Sequence, residues 1–360
     1  MKKKILIALP LCLLLFAAVW GFAAGDAGDP LASLSYLEGT FSDAVDSRVA
    51  QKLDASDAAL LSGAGISAPS VDASAWVESR LKQADALIGF TGVSVMLLAG
   101  QAQVAYGSGT VVDATEGKAV SSGTALQTNH RYIVAEDTSA VFTVVSKTAV
   151  VDHQGGTFTY SNATDYNAMA AALKTMHLFK GSFTGYGQGF DLEAAPTRLQ
   201  ALIMFIRVLG EEEQALAWTG STPFTDIEKG SQAEKYVGYA YSMGYTNGYS
   251  ATQFKPAGAV NARQYTEFVL RAMEYSSSAN TDLSDTLLRA QNAGVLTPGE
   301  VEMLQRDQFL RAELVYISYY ALDAWMPDGG RTLGDFLQGK GIFTSQEREA
   351  ARSMVSGWRL

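Results

Sequence analysis

Helical spacing, then a period of two, then helical spacing again divide this chain into successive stretches. From Pro30 to Leu61, Leu34, Leu37, Phe41, Val45, Val49 and Leu53 recur three or four residues apart, which predicts helix. Residues 62 to 74, with Gly63, Gly65 and Pro69, read as a connection. A short helix is expected over Ala75 to Leu87, with Trp76, Leu81 and Leu87 as its apolar contacts. From Phe90 to about Tyr160 the period becomes two. Val93-Ser94-Val95, Gln103 to Tyr106, Tyr132 to Val134 and Val141 to Val145 are strand-like, and glycines punctuate them at turn-like intervals. These strands predict a small all-β domain, a sandwich or partial barrel. From Asp165 onward the helical period returns. The fold class expected is α+β and multidomain.

The extreme N-terminus has a different pattern. Lys2, Lys3 and Lys4 precede an apolar run from Ile5 to Val19, small residues at Gly21, Ala23, Ala24 and Gly25, and then Asp26. This is the pattern of a secretory signal peptide over 1–24, with an uncleaved N-terminal anchor as the alternative. Ala23, Ala24 and Ala27 all suit the last residue removed. The single cysteine, Cys12, lies inside the apolar run behind Pro10 and Leu11, which does not fit lipidation. Without it the mature chain has neither disulfides nor thiolate metal sites, a composition that leans toward a Gram-positive bacterium. The formal charge is −10, and loss of the three lysines makes it −13. So acidic a chain makes nucleic acid an unfavourable partner, because phosphate binding needs a dense basic patch.

The helical stretch repeats itself. One segment runs from Tyr166 through Leu178-Phe179-Lys180-Gly181 and Gly189-Phe190-Asp191-Leu192 to Pro196-Thr197-Arg198 and Arg207. A second opens with Phe224-Thr225-Asp226-Ile227 and passes Gly244-Tyr245-Thr246-Asn247-Gly248, Phe254-Lys255-Pro256 and Asn261-Ala262-Arg263 to Arg271. A third contains Gly294-Val295-Leu296, then Leu310-Arg311-Ala312-Glu313, and closes at Leu322. Thr197, Asn261 and Leu310 align at offsets of 64 and 49. Units of this kind cannot bury their apolar faces alone and must stack on one another.

These motifs resemble S-layer homology domains over about Asp165 to Ala324: Phe-x-Asp-Val, a helix, a Gly-x-x-x-Gly turn, Phe-x-Pro, then Thr-Arg-Ala-Glu and a helix ending in Arg. The boundaries expected are a helical segment with linker over 30–88 and a β domain over 89–162. Three repeats follow over 163–325, at about 163–217, 222–276 and 280–325, with a helical tail over 326–360. The resemblance implies a three-part helical prism that binds secondary cell-wall polysaccharide, often pyruvylated, in grooves between repeats. It implies a glycan-binding set of Arg198, Thr197, Lys180, Gly181, Asp226, Asn247, Gly248, Arg263, Arg311 and Glu313. An arginine at the start of a helix adds its fork to free N–H groups and a positive dipole end, which suits a carboxylate-bearing sugar. The departures are Ala262 at the arginine position of the second repeat, Leu310 at the cap of the third, and Leu199-Gln200 in the first. Arg198 and Arg311 are therefore favoured over Arg263. The alternative for all three is a helix-capping or inter-repeat role.

Other signals carry less. Gly185 to Gly189 falls within the repeat and follows no strand, so it does not read as a phosphate loop. Glu211-Glu212-Glu213 reads as a solvated helix end, and the tyrosines at 236, 239, 241, 245 and 249 as packing first and glycan contact second. His130 and His153 are isolated and read as structural. The function expected is non-catalytic anchoring at the cell wall, with no cofactor, no metal and no membrane span once the signal is removed. Self-association in a surface layer is a further expectation. The alternative is an assembly scaffold whose degenerate repeats no longer bind glycan.

Overall fold

The computed structural model describes residues 48, 75–181, 189–277, 279, 281–356 and 359–360. The chain divides into two units, and the architecture below belongs to the second, Asp72–Leu360. The signal and, apart from Arg48, the helix expected before residue 62 lie outside the described residues. The fold is α+β.

Two antiparallel sheets form a sandwich. One is built from β1 (Val77–Lys82), β9 (Thr148–Gln154), β3 (Ser94–Ala99), β7 (Arg131–Val134), β5 (Val111–Asp113) and β6 (Lys118–Val120), in that order. The other runs β10 (Thr157–Thr159), β2 (Ala86–Phe90), β8 (Ser139–Val144) and β4 (Ala102–Tyr106). Alternate residues point inward, so Val95, Leu97, Val104, Val111, Tyr132 and Phe142 meet in a shared core. The four strand-like runs between 93 and 145 each fall on a strand.

The short helix expected over Ala75 to Leu87 is instead β1 and β2. Leu81 and Leu87 are buried, as expected of its apolar contacts, whereas Trp76 is 39% exposed. The partner of β1 is β9, with Val77 opposite His153 and Lys82 opposite Thr148. Only one β1 residue is fully buried. Nothing local distinguishes such a strand from a helix, because its specification comes from a partner far along the chain.

The helical region begins at α1 (Tyr166–Thr175). It continues through α2 (Arg198–Val208), α3 (Glu212–Ala217), α4 (Gln232–Ser242) and α5 (Ala262–Ala272), then α6 (Thr286–Asn292), α7 (Pro298–Arg306) and α8 (Arg311–Ala321). Thr197 and Asn261 start α2 and α5 with reciprocal capping boxes to Gln200 and Gln264. Leu310 cannot cap α8 with its side chain, and Glu313 compensates by accepting the Leu310 backbone N–H at 2.7 Å. α2, α5 and α8 each pack against the other two. Phe205, Phe268 and Tyr265 meet edge-on or tilted between them, and Tyr265 bonds Ser318 at 2.6 Å. α7 was not apparent in the sequence, although Thr297, Pro298 and Glu300 form a complete helix start. The tail, expected to be helical, holds α9 (Leu333–Gly339) and α10 (Ser345–Met354), the latter packed on α1.

The sandwich and the helices meet through charge. Lys147 pairs with Glu313 and, at 2.7 Å, with Asp307.

Candidate functional site

The three segments expected as repeats share hydrogen bonds more closely than they share residues. After the first helix of each, His177, Gly244 and Gly294 take positive φ of 62°, 73° and 71°. The next residue then closes the turn: Leu178 N–H donates to Leu173 O, Tyr245 N–H to Ala240 O and Val295 N–H to Ala290 O, at 2.8 to 2.9 Å. The second helices dock in a shared way too. Arg198 and Leu199 N–H groups donate to Gly258 O and Pro256 O. Arg311 and Ala312 donate to Ala194 O and Leu192 O, the equivalent carbonyls 64 residues earlier.

At the first of these junctions lies a cleft of about 390 Å³. Its walls are Arg198 at the start of α2, the turn from Thr246 to Ala251, and Gln264, Glu267, Phe268 and Arg271 on α5, with Ala279, Thr281 and Leu283 beyond. Arg198 is 6% exposed and sits over the Phe254 and Phe268 rings at 5.0 and 5.8 Å. Its Nη2 donates to Gly248 O at 3.1 Å, while its buried Nε has no hydrogen-bond partner. Burial, and then the charge of Arg271, pull the Arg198 pKa down to about 10. Its charge is therefore held at a cost that an anion in the cleft would offset.

The acid in this cleft does not supply that anion. Glu267 accepts from Arg271 Nε at 3.0 Å, Arg289 Nη2 at 2.7 Å, and the Ser276 and Thr286 hydroxyls. Arg289 also pairs with Asp285 at 3.0 Å, so Arg271 and Arg289 are matched by two carboxylates and Arg198 adds one further positive charge. Exposed Tyr249 lies at the rim with Lys255 Nζ 3.4 Å from its ring centroid.

Three of the expected residues, Arg198, Asn247 and Gly248, thus line one cleft. The structure places the others elsewhere. The Thr197 hydroxyl caps Gln200 N–H at 3.2 Å. Asp226 accepts the Phe254 and Lys255 N–H groups at 2.9 and 2.7 Å, which outweigh burial and hold its carboxyl below the ordinary value. It shapes the loop beneath the cleft. Lys180 is largely exposed and pairs with Glu212, Gly181 is exposed beside Gly189, and Arg263 points to solvent. Glu313, 1% exposed, is engaged by Lys147 of the sandwich.

Arg311 repeats the geometry of Arg198 without its availability. Its Nη1 meets Asp191 Oδ2 at 3.1 Å. Asp191 stands where the second repeat has Lys255, and both take left-handed backbone with φ of 49° and 58°. An acid answers Arg311, and the equivalent position in the second repeat carries a lysine whose Nζ lies over Tyr249. Arg271 was missed as a site residue; its place at the end of the repeat motif was the available signal.

The acidic triplet is not a solvated helix end. Glu211 is buried, accepting from the Tyr239 and Tyr245 hydroxyls at 3.0 Å each and from Lys340 at 3.1 Å. Glu212 accepts from Tyr236, Arg207 and Lys180, and only Glu213 is exposed. In the sandwich, His130 Nδ1 lies 2.8 Å from Asp113 Oδ2, and His153 bonds Ser79 and Gly155 O. Asp113, Glu116 and His130 bring ligand atoms within 4.8 Å of one another, but Lys118 already neutralises Glu116. Among the described residues no helix is long and apolar enough to cross a membrane.

Residues 223–261 match the family model of the S-layer homology domain. That segment includes Asp226, the Gly244–Gly248 turn and Phe254-Lys255-Pro256, so it supplies one wall of the cleft. No curated protein matches the chain. Among solved structures, procruciferin, the 11S globulin of Brassica napus, aligns at 13% identity over 24% of this chain and 22% of its own, with a TM-score of 0.17. So partial an alignment bears on neither fold nor function.

Proposed function

We propose that this S-layer homology domain-containing chain is a non-catalytic surface protein held to the cell wall by an anionic polysaccharide bound in the Arg198 cleft. An S-layer homology domain is a binding and anchoring module of the cell surface. The observation that carries the finer reading is a buried guanidinium with an unpartnered Nε, set beside Arg271 at the wall of an open cleft. Such a group binds a carboxylate by replacing an unmet donor with a charge-assisted bond. A pyruvylated sugar fits, because its carboxylate is carried on an otherwise neutral ring that Tyr249 and the Gly248 backbone leave room to approach.

The docking of the third repeat on the first, and of the first on the second, supports the three-part prism implied by the resemblance. The wall glycan then meets one groove in which, among the described residues, Arg198 is the charge left unmatched by a carboxylate.

The test is co-sedimentation of the full-length protein with wall sacculi, intact or chemically depyruvylated. The protein should pellet with intact sacculi only, and Arg198→Ala should lower apparent affinity about 10- to 100-fold, the worth of one hydrogen bond to a charged group. Equal pelleting by the variant would overturn the site. The scaffold alternative draws on Ala262 and on the Asp191-neutralised Arg311, and self-association without any sedimentation would establish it.

A further inference from the structure

The position equivalent to the Arg198 cleft, one repeat further on, offers a buried carboxylate in place of arginines and is filled by the chain itself. In that repeat the turn is Val295-Leu296-Thr297 and the helix is α8. At the 49-residue offset, Tyr316 replaces Glu267 and Tyr320 replaces Arg271, while Ala262 replaces Arg198 at offset 64. Both arginines of the first cleft are therefore missing. A buried acid has been added: Glu300, 0% exposed, at the start of α7.

Arg359 lies in this groove. Its Nε and Nη2 meet Glu300 Oε1 and Oε2 at 2.7 and 2.9 Å, a two-point fork on a carboxylate. Nη2 also donates to Val295 O at 2.7 Å, and the guanidinium lies 4.8 Å from the Tyr320 ring centroid. The adjoining main chain is held as well: Leu360 N–H donates to the Tyr316 hydroxyl at 3.2 Å, and the Thr297 hydroxyl donates to Leu360 O at 2.5 Å. Carboxylate, carbonyl, aromatic face and main-chain partners all converge on one arginyl residue.

We propose that the third-repeat groove is an arginine-peptide site and that residues 359 and 360 are its ligand in cis. The absence of two arginines and the presence of Glu300 suit this groove to a cation, and the chain fills it itself. The comparison with the first cleft rests on the glycan reading, whereas the arginine site stands on its own contacts. An anionic polymer entering this groove would meet Glu300, so the segment also fixes the number of glycan grooves by occupying one.

The test uses the full chain carrying Arg359→Ala. Glu300 would lose its cation, and the thermal midpoint should fall by about 5–10 °C, given the cost of breaking a buried pair in a chain this size. Millimolar N-acetyl-arginine amide should restore most of that loss and bind saturably by calorimetry. The same compound should neither bind nor stabilise the wild type, whose groove is filled. Arg359→Ala with Glu300→Gln should regain stability without responding to the compound, and this second variant keeps the test valid should the first fold poorly. Absence of rescue in Arg359→Ala, or equal binding by the wild type, would overturn the proposal. The arginine arm contains no glycan, so failed sedimentation with sacculi would leave its outcome untouched.

Discussion

Two arginines that look alike in the repeats differ by what stands opposite them. Each has a buried Nε with no hydrogen-bond partner, but Arg198 lines an open cleft, whereas Arg311 meets Asp191. Arg311→Ala is therefore expected to act on stability, lowering it by about 2–4 kcal/mol as buried Asp191 loses its cation, with little change in wall binding per folded molecule. Urea unfolding and sedimentation, measured in parallel, separate the two effects. Arg263→Ala, at an exposed position, should change neither by more than about 0.5 kcal/mol. Glu212 shows residue-scale chemistry of another sort. Burial raises its pKa, but hydrogen bonds from Lys180, Tyr236 and Arg207 outweigh that and hold it at about 2. A carboxyl depressed on folding contributes stability above its ordinary value of 4.5, and that contribution is lost as pH falls toward 2. Glu212→Gln should flatten the pH dependence of the urea midpoint in that window by roughly 1–2 kcal/mol, after allowance for solvent screening.

Elements owe their ends to short signals and their places to distant ones. α2, α5 and α7 start at Thr197, Asn261 and Thr297, each a side-chain cap, of which the repeat motifs marked only the first two. α8 starts at Leu310, which offers no acceptor, so Leu310→Thr should raise stability by about 0.5–1 kcal/mol, read as a shift in thermal midpoint. The turn after α4 is less forgiving. Gly248 has φ of 83°, and a Cβ there would collide with the Phe224 ring, so Gly248→Ala should cost stability and displace the carbonyl that Arg198 holds. Loss of sedimentation beyond the loss of folded protein would show that displacement. β1 is the opposite case: its helix-like local pattern yields to a ladder with β9.

At the scale of the whole molecule, the sandwich is tied to the helices by Lys147, whose partners Glu313 and Asp307 lie on and beside α8. Lys147→Ala should leave the nearly buried Glu313 carboxylate short of a cation and cost about 1–3 kcal/mol. Separate transitions by far-ultraviolet and aromatic circular dichroism would reveal uncoupled sandwich and helices, whereas the wild type should show one. The sequence alone determined the α+β class, four of the ten described strands, the starts of α2 and α5 and the kinship with S-layer homology domains, because periodicity, caps and turn motifs are written within a few residues of one another. It also singled out Arg198, Asn247 and Gly248. Only the tertiary structure decided that these three share a cleft with Arg271, that Asp191 neutralises Arg311, and that Glu300 receives Arg359. A groove's charge is the sum over side chains drawn together from separate repeats, and the field of a buried charge depends on its spatial neighbours, which the order of residues along the chain does not state.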